Sequence, residues 1–192
     1  GTRNLDVQVE CLKAEGFSSR RSLSCDKLVF CTNSFTKHHF PNEKIVPGRG
    51  QIFLTKSIKN LNLNGTFGYD EGYYYFKNIG PNRILIGGGR NEDFAGEETF
   101  KFGNSEKILS AIRESLGLVL GRPPKEIEID RTWSGIMAFS PDKSEYRSVI
   151  VKKHSPHVFI GARLGGMGIS LSSSMGQELA GLVLEDLRVK PR

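Results

Sequence analysis

Leu5, Val7 and Val9 alternate with polar neighbours, a period of two that predicts a strand over Leu5–Leu12. Residues 13–24 are polar and read as a hairpin tip, and residues 27–31 form a compact apolar strand. A loop over 33–42 leads to a long strand over 45–55, followed by a loop over 58–64. Residues 72–76 and 84–88 are expected to pair antiparallel across the Gly80-Pro81-Asn82 turn. Residues 90–103 are charged and glycine-bearing and read as a loop. The period then lengthens. Ile108, Leu109, Ile112, Leu116 and Val119 recur at helical spacing and predict an amphipathic helix over 105–120. Asn104 or Ser105 can cap it, and Gly117 or Gly121 can end it. Pro123-Pro124 bars any continuation, and residues 127–138 return to a strand that carries the one tryptophan. Residues 147–151 and 157–160 complete the strands.

The stretch from Val158 to Glu185, VFIGARLGGMGISLSSSMGQELAGLVLE, is the most informative in the chain. A short apolar run enters a turn holding Gly161, Gly165, Gly166 and Gly168, and a helix of about four turns follows, with Met175, Leu179, Leu182 and Val183 on one face. Glycines at such a joint take positive φ and let another group approach the main chain. The unpaired N–H groups of the helix start point into that space at the positive end of the helix dipole. Spacing alone fits two readings equally: a site that presents backbone to a nucleotide or an electron-accepting ring, or a plain strand–turn–helix corner.

Composition narrows the classes. The 192 residues suffice for a real core in one or two domains, and 38% hydrophobic with 25% charged residues is ordinary for a soluble globular protein. No apolar run reaches the ~18 residues that span a bilayer, and no secretory pattern opens the chain. A net charge of +6 raises the question of nucleic acid. The basic residues are scattered, however, so a solvated basic face is expected and no nucleic-acid partner. Cys11, Cys25 and Cys31 are odd in number and lack metal-ligand spacing. They are expected to be buried free thiols of a reducing compartment, which points to a cytoplasmic protein without a metal site. Asn64-Gly65-Thr66 is a glycosylation sequon that reads first as a turn. His38, His39, His154 and His157 lack partner spacing and are expected on the surface or in loops.

The segment GARLGGMGISLSSSMGQELAGLVLED resembles the C-terminal flavin-contacting segment of the D-amino-acid oxidase-like family of FAD-dependent oxidoreductases. That family includes glycine oxidase, sarcosine oxidase and γ-glutamylputrescine oxidase. Further blocks follow the family's order: CDKLVFCTNSFT at 25–36, IVPGRGQIFLT at 45–55, YYYFKNIGPNRILIGGG at 73–89 and WSGIMAFSPD at 133–142. The family's G-x-G-x-x-G unit, which grips the ADP half of FAD, has no counterpart in this sequence. The resemblance therefore implies roughly the C-terminal half of such an enzyme. The implied fold is α+β. An antiparallel-sheet substrate domain at 44–144 is joined to the C-terminal part of a three-layer α/β FAD-binding domain, supplied by residues 1–43 and 145–192.

The resemblance also implies roles. Non-covalent FAD would be met by Thr32, Asn33, Arg49, Gly165, Gly166, Met167, Gly168 and Ile169. The substrate pocket would draw on Gln51, Tyr74, Trp133 and Met137. No catalytic side chain is singled out. The arginines that fork a substrate carboxylate in amino-acid oxidases of the family are missing: Met137 and Gly166 stand at those positions, and Arg163 is displaced. A small-molecule amine, an N-substituted amine or a γ-glutamyl amine fits better than a simple α-amino acid. The expected reaction is hydride transfer from a C–N bond to flavin. The alternative is a non-catalytic α+β binding or assembly module whose glycine turn is purely structural. The chain by itself is expected to hold FAD weakly or not at all. It is also expected to self-associate through strand edges near 27–31 and the apolar face around 158–160. In the parent enzyme, Gly168→Val is expected to abolish flavin retention, both by filling the ring's space and by straining a positive φ.

Overall fold

The computed structural model describes residues 5–12, 18–142, 144 and 148–189. Among the described residues ten strands occur in chain order: β1 (Leu5–Leu12), β2 (Ser18–Cys25), β3 (Leu28–Phe30), β4 (Val46–Thr55), β5 (Thr66–Tyr69), β6 (Tyr74–Ile79), β7 (Arg83–Gly88), β8 (Ile129–Phe139), β9 (Ile150–Ser155) and β10 (Val158–Ala162). The described α-helices are α1 (Thr36–His39), α2 (Phe94–Glu97), α3 (Glu106–Leu120) and α4 (Gly168–Val189). The chain divides into two compact units, Gly1–Ile45 with Ala138–Arg192, and Val46–Met137. The class is α+β with predominantly antiparallel sheets.

The second unit is built on a five-stranded sheet of order β5-β6-β7-β4-β8. The β6–β7 hairpin forms where expected, with Ile79 opposite Arg83 across a turn in which Gly80 takes φ +61°. Alternation sends Phe53, Tyr74, Phe76, Ile84 and Ile86 to one face, where they bury Ile108, Ile112 and Leu116 of α3. The Ser105 hydroxyl accepts from the Ile108 N–H, and Gly121 closes α3 at φ +61°. Gly117 serves differently from the expected stop signal. A Cβ there would lie 2.8 Å from the Arg122 carbonyl oxygen, so the glycine lets the chain double back against the helix.

The first unit holds a two-stranded hairpin, β1–β2, and a three-stranded sheet of order β3-β10-β9. In the latter, β3 and β10 run parallel, with Phe159 opposite Val29. Its core gathers Ile45, Ala138, Ile150, Ile160 and Ala162. Met175 and Leu179 of α4 are buried, and they press on Gly161, where a Cβ would lie 2.7 Å from Leu179 Cδ2. Gly161 is therefore a packing glycine inside a strand and not part of the turn. Lys27 and Lys153 both donate to the Asp186 carboxylate, tying α4 to the ends of β3 and β9.

Several expected boundaries move. Position 18 already belongs to β2, so the tip is shorter than 13–24, and residues 13–17 lie outside the described ones. The strand expected at 147–151 begins at Ile150 and runs to Ser155, and Arg147 lies outside the described residues. Short helical turns occupy both expected loops, at 33–39 and 90–97. Strand β5 was not foreseen, and α4 runs 22 residues. Cys31 is exposed and Cys25 half-buried, against the expectation of buried thiols, because β3 ends at Phe30 before reaching Cys31. The Cys11 side chain lies outside those described.

Hydrogen bonds from Lys153, then from Lys27, draw the Asp186 carboxyl down to about 2. Its folded value lies below the ordinary ~3.9, so the unfolded chain binds the proton more readily. The stabilisation is complete above the ordinary value and is lost as pH falls through about 2. Acid titrations followed by circular dichroism should show Asp186→Asn less stable than the parent near neutrality, with the two converging at the acid end. Equal stabilities at neutral pH would show the pair to be inert.

Candidate functional site

In the first unit, the carboxyl ends of the parallel strands β3 and β10 open side by side, the position at which α/β sheets receive ligands. Asn33 follows β3 with φ +48°, and its Oδ1 accepts from the N–H groups of Arg163 at 3.2 Å and Leu164 at 3.3 Å. One side chain thus fastens the two strand ends together. The neighbouring Thr32 is exposed, and its hydroxyl meets that of Thr36 at 2.9 Å.

Positive φ in the turn falls at Arg163 (+66°) and Gly165 (+56°). Gly168 has φ −53° and is the first residue of α4, so the expectation of a left-handed Gly168 is corrected. Arg163 takes its strained backbone because its side chain is locked. It is 7% exposed, with Nε donating to the Ser148 carbonyl and Nη1 to the Lys44 carbonyl. This arginine is committed to the fold, with backbone carbonyls and hydroxyls among its described partners.

Among the described residues nothing requires glycine at 166 or 168. A Cβ at Gly166 would meet no atom within 4 Å, and one at Gly168 only Leu164 Cβ at 3.9 Å. Beside them, Met167 is 54% and Ile169 98% exposed. The α4 start therefore shows bare backbone between two uncovered apolar side chains. That surface pairs N–H donors with apolar contact, the chemistry a flat ring with a polar edge would need.

In the second unit, Arg49 is forked onto Glu97, with Nε to Oε2 at 2.9 Å and Nη2 to Oε1 at 2.7 Å. Gln51 Nε2 donates to the same carboxylate at 2.8 Å, and its Oε1 accepts from the Ser105 N–H at 2.7 Å. Glu97 and Gln51 are buried. The hydrogen bond to Glu97 is the main cause that raises the Arg49 pKa. The network joins β4, α2 and the start of α3. Its donors and acceptors are largely spent on one another, and Gln51, expected to line the substrate pocket, is held inside this buried network.

Tyr74, also expected at the substrate pocket, is likewise held by internal partners. It lies in the core, stacked on Tyr69 with centroids 5.0 Å apart, and its hydroxyl donates to Glu92 at 3.1 Å. Burial first, and this bond second, push its pKa well above the ordinary phenol value. The other sheet face, away from α3, carries Trp133 and Met137. Met137 Cε lies 2.9 Å from where a Gly50 Cβ would be, and Trp133 shares its parity along β8. The intervening Ser134 faces the other way, accepting from the Gly103 N–H at 2.9 Å.

Tyr75 joins that face, and the sequence reading missed it. It is opposite Gly87 in the β6–β7 ladder. A Cβ at Gly87 would lie 2.5 Å from Tyr75 Oη and 2.8 Å from Ile52 Cγ1, so the glycine lets the ring lie flat across the sheet. The available signal was the alternation itself: once Phe76 and Ile86 are core, Tyr75 and Gly87 face away. Burial raises the Tyr75 pKa. Gly87→Ala should lift the ring into water and return the phenol toward its ordinary value, read by phenolate absorbance on titration. An unchanged titration would place the ring elsewhere.

Among the described residues no His/Cys/Asp/Glu group could hold a metal ion, and no helix is long and apolar enough to cross a membrane. No curated protein sequence matches the chain. Among solved structures, iminodiacetate oxidase from Chelativorans sp. is similar at TM-score 0.67 and 19% identity, covering 95% of this chain and 49% of that one. Glycine oxidase from Bacillus cereus gives 0.63 and 18%, covering 91% and 46%. L-proline dehydrogenase from P. horikoshii gives 0.63 and 18%, covering 88% and 46%. At these identities the likeness shows the fold, and the chain spans about half the length of each of these proteins. The family model described as DAO, FAD dependent oxidoreductase, matches residues 3–182, and the chain belongs to this family of FAD-dependent flavoproteins.

Proposed function

We propose that this chain is the C-terminal part of a cytoplasmic FAD-dependent oxidoreductase that oxidises a C–N bond of an amine or N-substituted amino compound. The first unit would belong to the FAD-binding domain and the second to the substrate domain. The reading rests chiefly on the start of α4, where Gly166 and Gly168 leave open space that neither backbone conformation nor internal packing requires. FAD, held non-covalently, would supply hydride acceptance from the substrate. The chain's own residues orient and bind. Thr32, Asn33 and the 165–169 backbone would meet the cofactor, while Trp133, Met137 and Tyr75 would form an apolar wall for the substrate. Arg49 supports its wall from the buried side through Glu97.

The placement of two arginines supports the amine reading. Arg163 is spent on carbonyl and hydroxyl oxygens, and Arg49 on Glu97. Neither is offered to an α-carboxylate, which favours amines over simple α-amino acids. The test is purification of a longer protein that joins this chain to a dinucleotide-binding half. Flavin absorbance that bleaches anaerobically with an amine is the expected result. A colourless protein, or bleaching by α-amino acids alone, would overturn the reading. Flavin-fluorescence titration should show these 192 residues binding FAD weakly or not at all. Light scattering should show them self-associating through the β3 edge, where Val29 is 41% exposed.

A further inference from the structure

We propose that Asn64 is a self-modifying site, at which the Gly65 amide converts the asparagine to aspartate and isoaspartate at a rate set by Asn78. The inference is independent of the redox reading. Asn64-Gly65 is the one Asn-Gly step in the sequence. Asn64 is exposed in the irregular segment before β5, and its side chain makes no hydrogen bond among the described residues. Gly65 has no Cβ to shield its nitrogen, and its φ of +138° is one that side chains rarely adopt.

Two other asparagines precede a small residue, and the comparison decides between them. Asn33 comes before Ser34, but its Oδ1 is held by the N–H groups of Arg163 and Leu164. Asn104 comes before Ser105, but its Nδ2 donates to Gln51 at 3.4 Å and to the Trp133 carbonyl at 3.3 Å. Either amide must break native bonds before its carbon can meet the following nitrogen. Asn64 breaks none.

The chemistry needs only water and base. Hydroxide takes the Gly65 N–H proton, and the nitrogen attacks Cγ of Asn64. The Cγ–Nδ2 bond breaks, and ammonia leaves with a proton from water. Water then opens the five-membered imide at either carbonyl, giving aspartate or isoaspartate. Each event lowers the net charge of +6 by one. The structure also contains the brake. Gly65 N–H donates to Asn78 Oδ1 at 2.9 Å, and Asn78 Nδ2 donates to the Gly80 carbonyl at 3.0 Å. A proton engaged this way is harder to remove, and the nitrogen is directed at Asn78 rather than at Asn64.

The experiment incubates the purified chain at mildly alkaline pH and follows the Asn64 peptide by mass and by isoaspartate assay. Exchange of ammonia for water is expected at Asn64 ahead of Asn33 and Asn104, faster as hydroxide rises. Asn78→Ala should accelerate it several-fold at Asn64 alone. Asn78→Asp keeps the acceptor oxygen and should restore the slow rate. Asn64→Gln should be silent. Loss of fold in Asn78→Ala would show itself as faster conversion at Asn33 and Asn104 as well, and that outcome would overturn the brake. An Asn64 that stays intact while the other two convert would overturn the site.

Discussion

Glu97→Ala is expected to destabilise the second unit by about 3–5 kcal/mol, the range for removing one partner of a buried ion pair. The alanine strands the Arg49 guanidinium, 13% exposed, and removes the acceptor of the buried Gln51 amide. Gln51 also receives the Ser105 N–H at the start of α3, so the loss should spread to that helix end. Urea unfolding monitored at Trp133 would measure it. Glu97→Gln should recover part of the loss, since the amide oxygen still accepts from Arg49. A loss within about 0.5 kcal/mol, as at an ordinary surface position, would mean that water satisfies Arg49 as well as the carboxylate does.

Gly168→Val should remove flavin from the assembled oxidoreductase while leaving the fold of this chain intact. Gly168 already has helical φ of −53°, and valine is the better helix former. Its Cβ would meet only Leu164 Cβ, at an ordinary contact of 3.9 Å. Gly165→Val separates the two effects, because φ +56° there should cost about 1–3 kcal/mol in backbone strain. The flavin-to-protein absorbance ratio and the melting temperature are read together. Full flavin in the Gly168 variant would mean that the open space serves no ring. Lost flavin together with a large drop in melting temperature would mean that glycine is needed for folding.

Much of the fold was legible because period carries burial. The β6–β7 hairpin, the capped helix α3 and the strand–turn–helix end all follow from alternation, helical spacing and turn residues. The missed elements are short: β5 with four residues, and α1 and α2 with four each. Such pieces hold too few periodic positions to announce themselves, and packing on longer elements decides them.

The motif blocks of the sequence carried the resemblance to the family and the α+β class it implies, and local spacing located the turn, because glycine spacing and apolar runs are local properties. The sequence by itself could not say what each glycine is for. Gly161 packs against Leu179, Gly165 takes left-handed backbone, and Gly166 and Gly168 leave space open. Nor could it say which of three consecutive tyrosines faces the core. Strand register fixes that choice: Phe76 opposite Ile86 buries Tyr74 on Glu92 and turns Tyr75 onto Gly87. The chain does not show which partners Arg49 and Arg163 take, yet Glu97 and Ser148 engage them from 48 and 15 residues away. Partners so distant meet only when the sheets close, so the tertiary structure alone decided which charges remain for a substrate.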